Sequence, residues 1–227
     1  GAEIIDATGL WVLPGLIDAH TGLGATEGYE TEAVDETSEP NTAQLMVLDA
    51  INPFAKSIEH TRTAGITAVM ASPGRRNVSG GQTAVVNLRG NTVTAMTVLS
   101  PAGVKFSLGE GPKDTYGEKD RLPSTRMGSA FIVRKALTEA EAYHRRWEAY
   151  ETMKEEAPDA APPDRDLQLE VLAKVGAGEL TAFIECYRAD DIATALRLID
   201  EYALKAVLVG CAEGYRLAEE IARRKVP

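Results

Sequence analysis

The last quarter of the chain alternates between two periodicities, and this constrains the fold more than any other feature. Residues 182–187 (Ala-Phe-Ile-Glu-Cys-Tyr) and 206–209 (Ala-Val-Leu-Val) are short apolar runs of strand character. Residues 190–202 and 215–224 carry apolar side chains at helical spacing. Strand and helix alternating at this pitch predict βαβ units and a parallel sheet, hence an α/β fold.

Upstream, residues 66–71 (Ile-Thr-Ala-Val-Met-Ala) read as a buried strand bounded by Gly65 and Pro73, with a helix over 53–64 before it. Ser79-Gly80-Gly81-Gln82 reads as a turn. Extended stretches over 83–89 and 93–99 follow it, and then a strand over 104–108. Residues 109–119 mix Gly, Pro and charge and read as a loop. Pro123-Ser124-Thr125-Arg126 opens a long helix running towards Glu156, and residues 157–163 are a Pro/Ala linker. Asp164 is the expected N-cap of a helix over 164–175. Residues 21–52 are polar and rich in acids (Glu27, Glu30, Glu32, Asp35, Glu36, Glu39), and read as a solvated loop.

Composition narrows the function classes. A net charge of −10 argues against nucleic acid, whose phosphates want a basic face. No apolar run approaches the ~18 residues of a transmembrane helix, so a membrane is not an expected partner. With 44% apolar residues among 227, there is material for a real core. Two cysteines, Cys186 and Cys211, do not make a secreted disulfide scaffold, so a cytoplasmic location is expected.

The segment from Leu10 to Gly24 reads Leu-Trp-Val-Leu-Pro-Gly-Leu-Ile-Asp-Ala-His-Thr-Gly-Leu-Gly. An apolar strand enters Pro14-Gly15, resumes at Leu16-Ile17 and ends in Asp18-Ala19-His20. It resembles the first barrel strand of the amidohydrolase superfamily, where Pro-Gly-Leu-Ile-Asp-x-His-x-His delivers two metal-binding histidines. Residues two apart on a strand point the same way, so His-x-His offers two ligands to one metal. Here His20 is present and Gly22 stands in the second place.

The resemblance continues in family order, towards the branch related to imidazolonepropionase and the metal-dependent prolidases. It runs through Ala64-Gly65-Ile66-Thr67, Gly80-Gly81-Gln82, Pro101-Ala102-Gly103-Val104-Lys105, Gly109-Glu110-Gly111-Pro112-Lys113, Tyr116-Gly117-Glu118-Lys119, Pro123-Ser124-Thr125-Arg126-Met127-Gly128, Arg188-Ala189-Asp190-Asp191-Ile192 and Ala212-Glu213-Gly214-Tyr215. It implies a (β/α)8 TIM barrel over residues 14–227, with residues 1–13 the remnant of a small flanking β-domain. Five or six barrel strands can be counted against eight, so the barrel is expected to be incomplete in this chain. The implied partners are the missing C-terminal part of the barrel or another chain, with a homo-oligomer as a further option.

The family reads His-Ala-His at the end of the fifth strand and Glu-His-Gly at the end of the sixth. This sequence reads Glu185-Cys186-Tyr187 and Val209-Gly210-Cys211. The family's histidine positions thus hold Gly22, Glu185, Tyr187 and Gly210 beside the retained His20, and its late Asp ligand would lie beyond Pro227. A catalytic zinc takes about three protein ligands and an open position, and lowers the pKa of a bound water. Only His20 and Glu185 stand as metal-ligand candidates.

Two functional readings follow. In the first, the scaffold is kept and the metal site dismantled, leaving a pseudoenzyme with a binding or structural role and no cofactor. In the second, a rearranged mononuclear zinc site built from His20, Glu185, Cys211 and a late Asp hydrolyses C–N bonds of a cyclic amide or dipeptide. Four family positions changed together, two of them to Gly, which favours the first. Lys105, Arg126 and Tyr187 are the substrate-pocket candidates. Cys186 is expected in the core, because on a strand it points away from Glu185 and Tyr187. His60 and His144 read as surface residues, and Asp190-Asp191 as helix caps.

Overall fold

A computed structural model describes residues 2–26 and 34–227. Their strands form one six-stranded sheet: β1 (Leu16–Thr21), β2 (Ile66–Ala71), β3 (Ser79–Asn87), β4 (Thr97–Ser107), β5 (Thr181–Cys186) and β6 (Ala206–Gly210), in that order. β1 pairs with β2, β4 with β5 and β5 with β6 in parallel, whereas β3 runs antiparallel to both neighbours. The α/β class is as expected, and the six strands among the described residues agree with the five or six counted against the eight of a full barrel, but the sheet is mixed rather than all parallel. β5 and β6 are parallel neighbours, as the alternation predicts; β2 lies three places from β5, with β3 and β4 between. Two antiparallel steps restore direction, so β1, β2, β4, β5 and β6 all end at one rim.

The helices are α1 (Lys56–Thr63), α2 (Val93–Met96), α3 (Glu110–Gly117), α4 (Arg126–Glu156), α5 (Leu167–Gly176), α6 (Ala189–Tyr202) and α7 (Ala218–Arg224). Several depart from the sequence reading. Residues 110–117 are helical rather than a loop, because Pro112 falls in the first turn, where its missing N–H removes no intrahelical bond. Residues 93–96 make a helical turn capped by the Thr92 hydroxyl, and only from Thr97 does the chain extend. Ser79-Gly80-Gly81-Gln82 is strand, not turn. The 40–46 segment lies alongside it and accepts the Ser79 and Gln82 N–H groups at Pro40 and Leu45. The cap of α5 is Asp166, not Asp164; its carboxylate accepts from the Gln168 and Leu169 N–H groups. Residues 2–13 contain no strand where a β element was expected, and Ile4, Ile5 and Trp11 are exposed.

Alternation along the strands sorts the side chains. Val104, Phe106, Ala182, Ile184 and Cys186 face α4, α5 and α6, meeting Val133, Leu137, Leu172, Ile192, Leu196 and Ile199 in the main core. Burying such side chains contributes roughly 1.5–3 kcal/mol each. Lys105, Ser107 and Glu185 are the alternate residues of the same strands and therefore occupy the opposite face. A second core joins Val69, Ala71, Ala84 and Val86 to Ile51 and Ile58.

Of the acidic stretch, Glu27, Glu30 and Glu32 lie outside the described residues. Its later part is fastened down rather than merely solvated. Asp35 accepts from the Arg76 backbone N–H at 2.9 Å, and Asn77 Nδ2 donates to the Glu36 carbonyl at 2.6 Å and to Thr42 Oγ1 at 2.8 Å. Buried Tyr116 completes this knot by donating to Asn77 Oδ1 at 2.6 Å.

Tyr116→Phe should therefore cost about 1–3 kcal/mol in urea denaturation, because Asn77 Oδ1 loses its partner. Burial pushes the Tyr116 phenol up to about 12. The unfolded phenol ionises from about 10, so the wild type should lose stability as pH rises from there, and the variant should lack that component.

Candidate functional site

The site is built where the parallel strands end. Lys105 on β4 is fully buried, and its Nζ reaches across the rim. It donates to Glu185 Oε2 on β5 at 2.5 Å, meets His20 Nε2 at the end of β1 at 3.1 Å, and points at the Pro73 carbonyl just after β2 at 3.4 Å. An ammonium has three N–H donors and no acceptor, and here three acceptors converge on it. His20 is held below its ordinary value by burial and then by the Lys105 charge. The neutral ring accepts at Nε2 in the tautomer that carries its proton on Nδ1.

Glu185 stays a carboxylate for a different balance of reasons. Burial pushes it up, but the charge and hydrogen bond of Lys105 and the hydrogen bond of Tyr187 outweigh this and hold it below the ordinary range. The Tyr187 hydroxyl donates to Glu185 Oε1 at 2.5 Å, so each carboxylate oxygen has its own donor. Burial lowers Lys105 in turn, opposed by Glu185. Above the rim the Arg75 guanidinium lies over the Tyr187 ring, 5.8 Å from its centroid.

Gly210 closes the far side. It has φ +86°, and a Cβ there would sit 2.8 Å from the Tyr187 ring. The ring thus covers the space that a side chain at 210 would need. Cys211, also at positive φ (46°), turns back towards the helices. Its N–H donates to the Cys186 carbonyl at 2.7 Å and its Sγ lies 3.9 Å from Cys186 Sγ. The expectation that Cys211 could reach inward is therefore corrected by this turn, and Cys186 is in the core. At Gly22, by contrast, the nearest atoms a Cβ would meet among the described residues are side-chain atoms of Thr26, at 3.1 Å, and Val34, at 3.7 Å.

Arg126 stands at the start of α4, away from the Lys105 cluster. Its Nε meets Asp191 Oδ1 at 2.9 Å and an Nη meets Glu110 Oε1 at 2.6 Å. Asp190 and Asp191 sit in the first turn of α6 without capping it by a side-chain hydrogen bond. Asp190 pairs with Arg188 and Asp191 with Arg126, because guanidinium groups nearby outcompete the helix N–H groups. His60 and His144 are exposed on α1 and α4.

His20 and Glu185 are both engaged by the Lys105 ammonium. Among the described residues no three His, Cys, Asp or Glu side chains converge to hold an ion. The lone pairs of His20 and Glu185 are directed at an ammonium. What the cluster can do is fix one positive and one negative charge out of water and present Tyr187 and Arg75 beside them.

Three participants escaped the sequence reading. Ser107 shares the face of Lys105 two residues on, a signal available from strand alternation. Arg75 follows β2 directly in Pro73-Gly74-Arg75-Arg76, at the end of a buried strand. The Pro73 carbonyl carries no sequence signal.

No family model and no curated protein matches the chain. Among solved structures it is similar to an amidohydrolase from Thermotoga maritima MSB8, with 35% identity and a TM-score of 0.92. The match covers 100% of this chain and 58% of that one, so this chain spans a little over half of that relative's length.

Removing one partner of the buried pair should be severe. Lys105→Met is expected to cost about 3–5 kcal/mol, because Glu185 is left buried and charged. Lys105→Met combined with Glu185→Leu should recover most of the loss, and a double-mutant cycle by urea denaturation reads both. At the far side, Gly210→His should cost about 1–3 kcal/mol from its positive φ alone. Adding Tyr187→Ala should relieve the overlap and return only the part of the cost above that.

Proposed function

We propose that the chain is an amidohydrolase-like protein, of the imidazolonepropionase- and prolidase-related pattern, that has given up metal-dependent hydrolysis for binding. The observation that carries this reading is the Lys105 ammonium held by His20, Glu185 and the Pro73 carbonyl. A metal ion and that ammonium compete for the same lone pairs. Zinc bound by His20 and Glu185 would have to displace Lys105 or take its proton, and would still lack the family's other ligands. The likeness to the Thermotoga maritima amidohydrolase supports the scaffold.

The alternative, a rearranged mononuclear hydrolase, loses a ligand when Cys211 turns towards Cys186. We propose further that more chain, C-terminal or from another subunit, completes the sheet. The outer edges of β1 and β6 have no partner strand among the described residues, and Leu16 and Ile17 are exposed on β1. Two free cysteines support a reducing, cytoplasmic setting. No helix among the described residues is long and apolar enough to cross a membrane.

Elemental analysis after dialysis against zinc tests the reading. Well under one zinc per chain is expected, with no rise in Tm on adding zinc and no hydrolysis of a dipeptide or lactam. Stoichiometric zinc together with C–N hydrolysis would overturn it.

A further inference from the structure

Two thiols lie behind the rim, on the side of the sheet away from Lys105. Cys186 ends β5 and is buried, and Cys211 follows β6 and is half-buried. Their Sγ atoms are in contact at 3.9 Å. We infer that this pair is a reversible dithiol–disulfide switch, closed by a peroxide, that clamps the end of β5 to the turn after β6 beneath Tyr187. The inference goes beyond the binding reading and does not rest on it.

The backbone holds the pair ready. Cys186 and Gly210 are register partners on parallel strands, and the Cys211 N–H donates to the Cys186 carbonyl at 2.7 Å. Paired strands lie about 4.8 Å apart, within the Cα separations of about 4.4–6.8 Å that disulfides span. An S–S bond is about 2.05 Å long, so the sulfurs have to close by roughly 2 Å. Cys211 is brought to this place by an unusual backbone. Its φ of +46° is a left-handed conformation that side-chain-bearing residues seldom adopt. The turn is then fastened by the Gly214 N–H on the Cys211 carbonyl at 2.8 Å and the Glu213 N–H on the Tyr187 carbonyl at 2.9 Å.

The two thiols differ in access, and this fixes their order of reaction. Cys211 is the one a peroxide can reach. The hydrogen bond with Cys186 holds the Cys211 thiol below its ordinary value, and the same bond together with burial pushes Cys186 up. The thiolate is the nucleophile. The Cys211 thiolate attacks one peroxide oxygen, the O–O bond breaks, and the leaving hydroxide takes a proton and departs as water. Cys211 is then a sulfenic acid. The Cys186 sulfur attacks Cys211 Sγ, the S–O bond breaks and the S–S bond forms. The sulfenic oxygen leaves as hydroxide and takes up the Cys186 proton. Two thiols and one hydrogen peroxide thus become one disulfide and two waters, with two electrons passing from sulfur to oxygen. A dithiol reductant reverses the step by exchange, and in a reducing setting the pair rests as thiols.

The clamp sits one residue from the rim on both strands. Glu185 and Tyr187 flank Cys186, and Gly210 precedes Cys211. The Tyr187 ring lies where a Cβ at Gly210 would be 2.8 Å away, and its hydroxyl holds Glu185 Oε1 at 2.5 Å. Drawing the Cys211 turn onto β5 moves the Gly210 backbone against that ring. Oxidation of the thiols is thereby passed to the Tyr187–Glu185 contact on the opposite face.

The test is mild treatment of the full chain with hydrogen peroxide, followed by intact mass and tryptic mapping. The wild type should become about 2 Da lighter and lose both thiols without forming a covalent dimer. The tryptic peptide 175–188 should then be joined to the peptide 206–216, and dithiothreitol should release them. Cys186→Ala cannot resolve the sulfenic acid, so it should gain about 16 Da and react with dimedone at Cys211. Cys211→Ala should keep the buried Cys186 reduced at the same dose. Hydrogen exchange in the two peptides should slow several-fold on oxidation of the wild type and stay unchanged in treated Cys211→Ala. A wild type that keeps both thiols, or that over-oxidises Cys211 without the cross-link, would overturn the switch. A cross-linked wild type with unaltered exchange would overturn its link to the rim. The wild type alone decides the first point, so a variant that fails to fold leaves the test intact. These readouts do not depend on metal content or on a ligand at the rim, so their failure leaves the binding reading where it stands.

Discussion

A lysine ammonium removed wholly from water costs several kcal/mol unless acceptors and a countercharge surround it. Lys105 meets that requirement with contributions from four separate chain segments: His20, Pro73, Glu185 and its own strand β4. Those segments are adjacent only because the sheet sets the ends of β1, β2, β4 and β5 on one rim. The ion pair therefore reports on strand order as much as on chemistry. A slip of one residue in the β4–β5 register would turn Glu185 to the helices and bring Ile184 or Cys186 to the ammonium. Electrostatics and packing here select the same register.

β3 explains how a mixed sheet still builds such a rim. It runs back between β2 and β4 and is buried along most of its length. Its two antiparallel ladders return the chain to the far end of the sheet, so β4 can start again in the direction of β2. The loop after β2, which carries Pro73 and Arg75, thus reaches over the end of β4 although the two strands are not neighbours. The knot of Asp35, Asn77, Thr42 and Tyr116 then holds the flanking segments against that loop.

The parts of this arrangement differ in how openly the sequence declares them. The βαβ units after residue 180 are legible because period-2 and period-3.6 segments alternate there without interruption. His20, Lys105, Glu185 and Tyr187 stand out as polar residues at the ends of apolar strands. That Lys105 would meet both His20 and Glu185 is not legible, because its contacts span 85 and 80 residues of sequence. α3 was hidden by Gly109, Gly111 and Pro112, residues that signal loops unless they fall at a helix start. β3 was hidden by Gly80-Gly81, whose neighbouring strand residues gain partners from the distant 40–46 segment. The direction of Cys211 is not legible, because two successive positive φ angles, at Gly210 and Cys211, reverse the course that strand alternation predicts.

The Tyr187 ring lying over Gly210 has a consequence for the history such a site can have. An imidazole at 210 collides with the ring, and a smaller residue at 187 leaves Glu185 Oε1 without its donor. An imidazole at 185 strands the Lys105 ammonium, and removing Lys105 strands Glu185. A single change at 105, 185, 187 or 210 is thus a step into a less stable protein. The interlock works as a ratchet: the order in which substitutions at these four positions accumulate matters, because each made alone strands a charge, a donor or a ring.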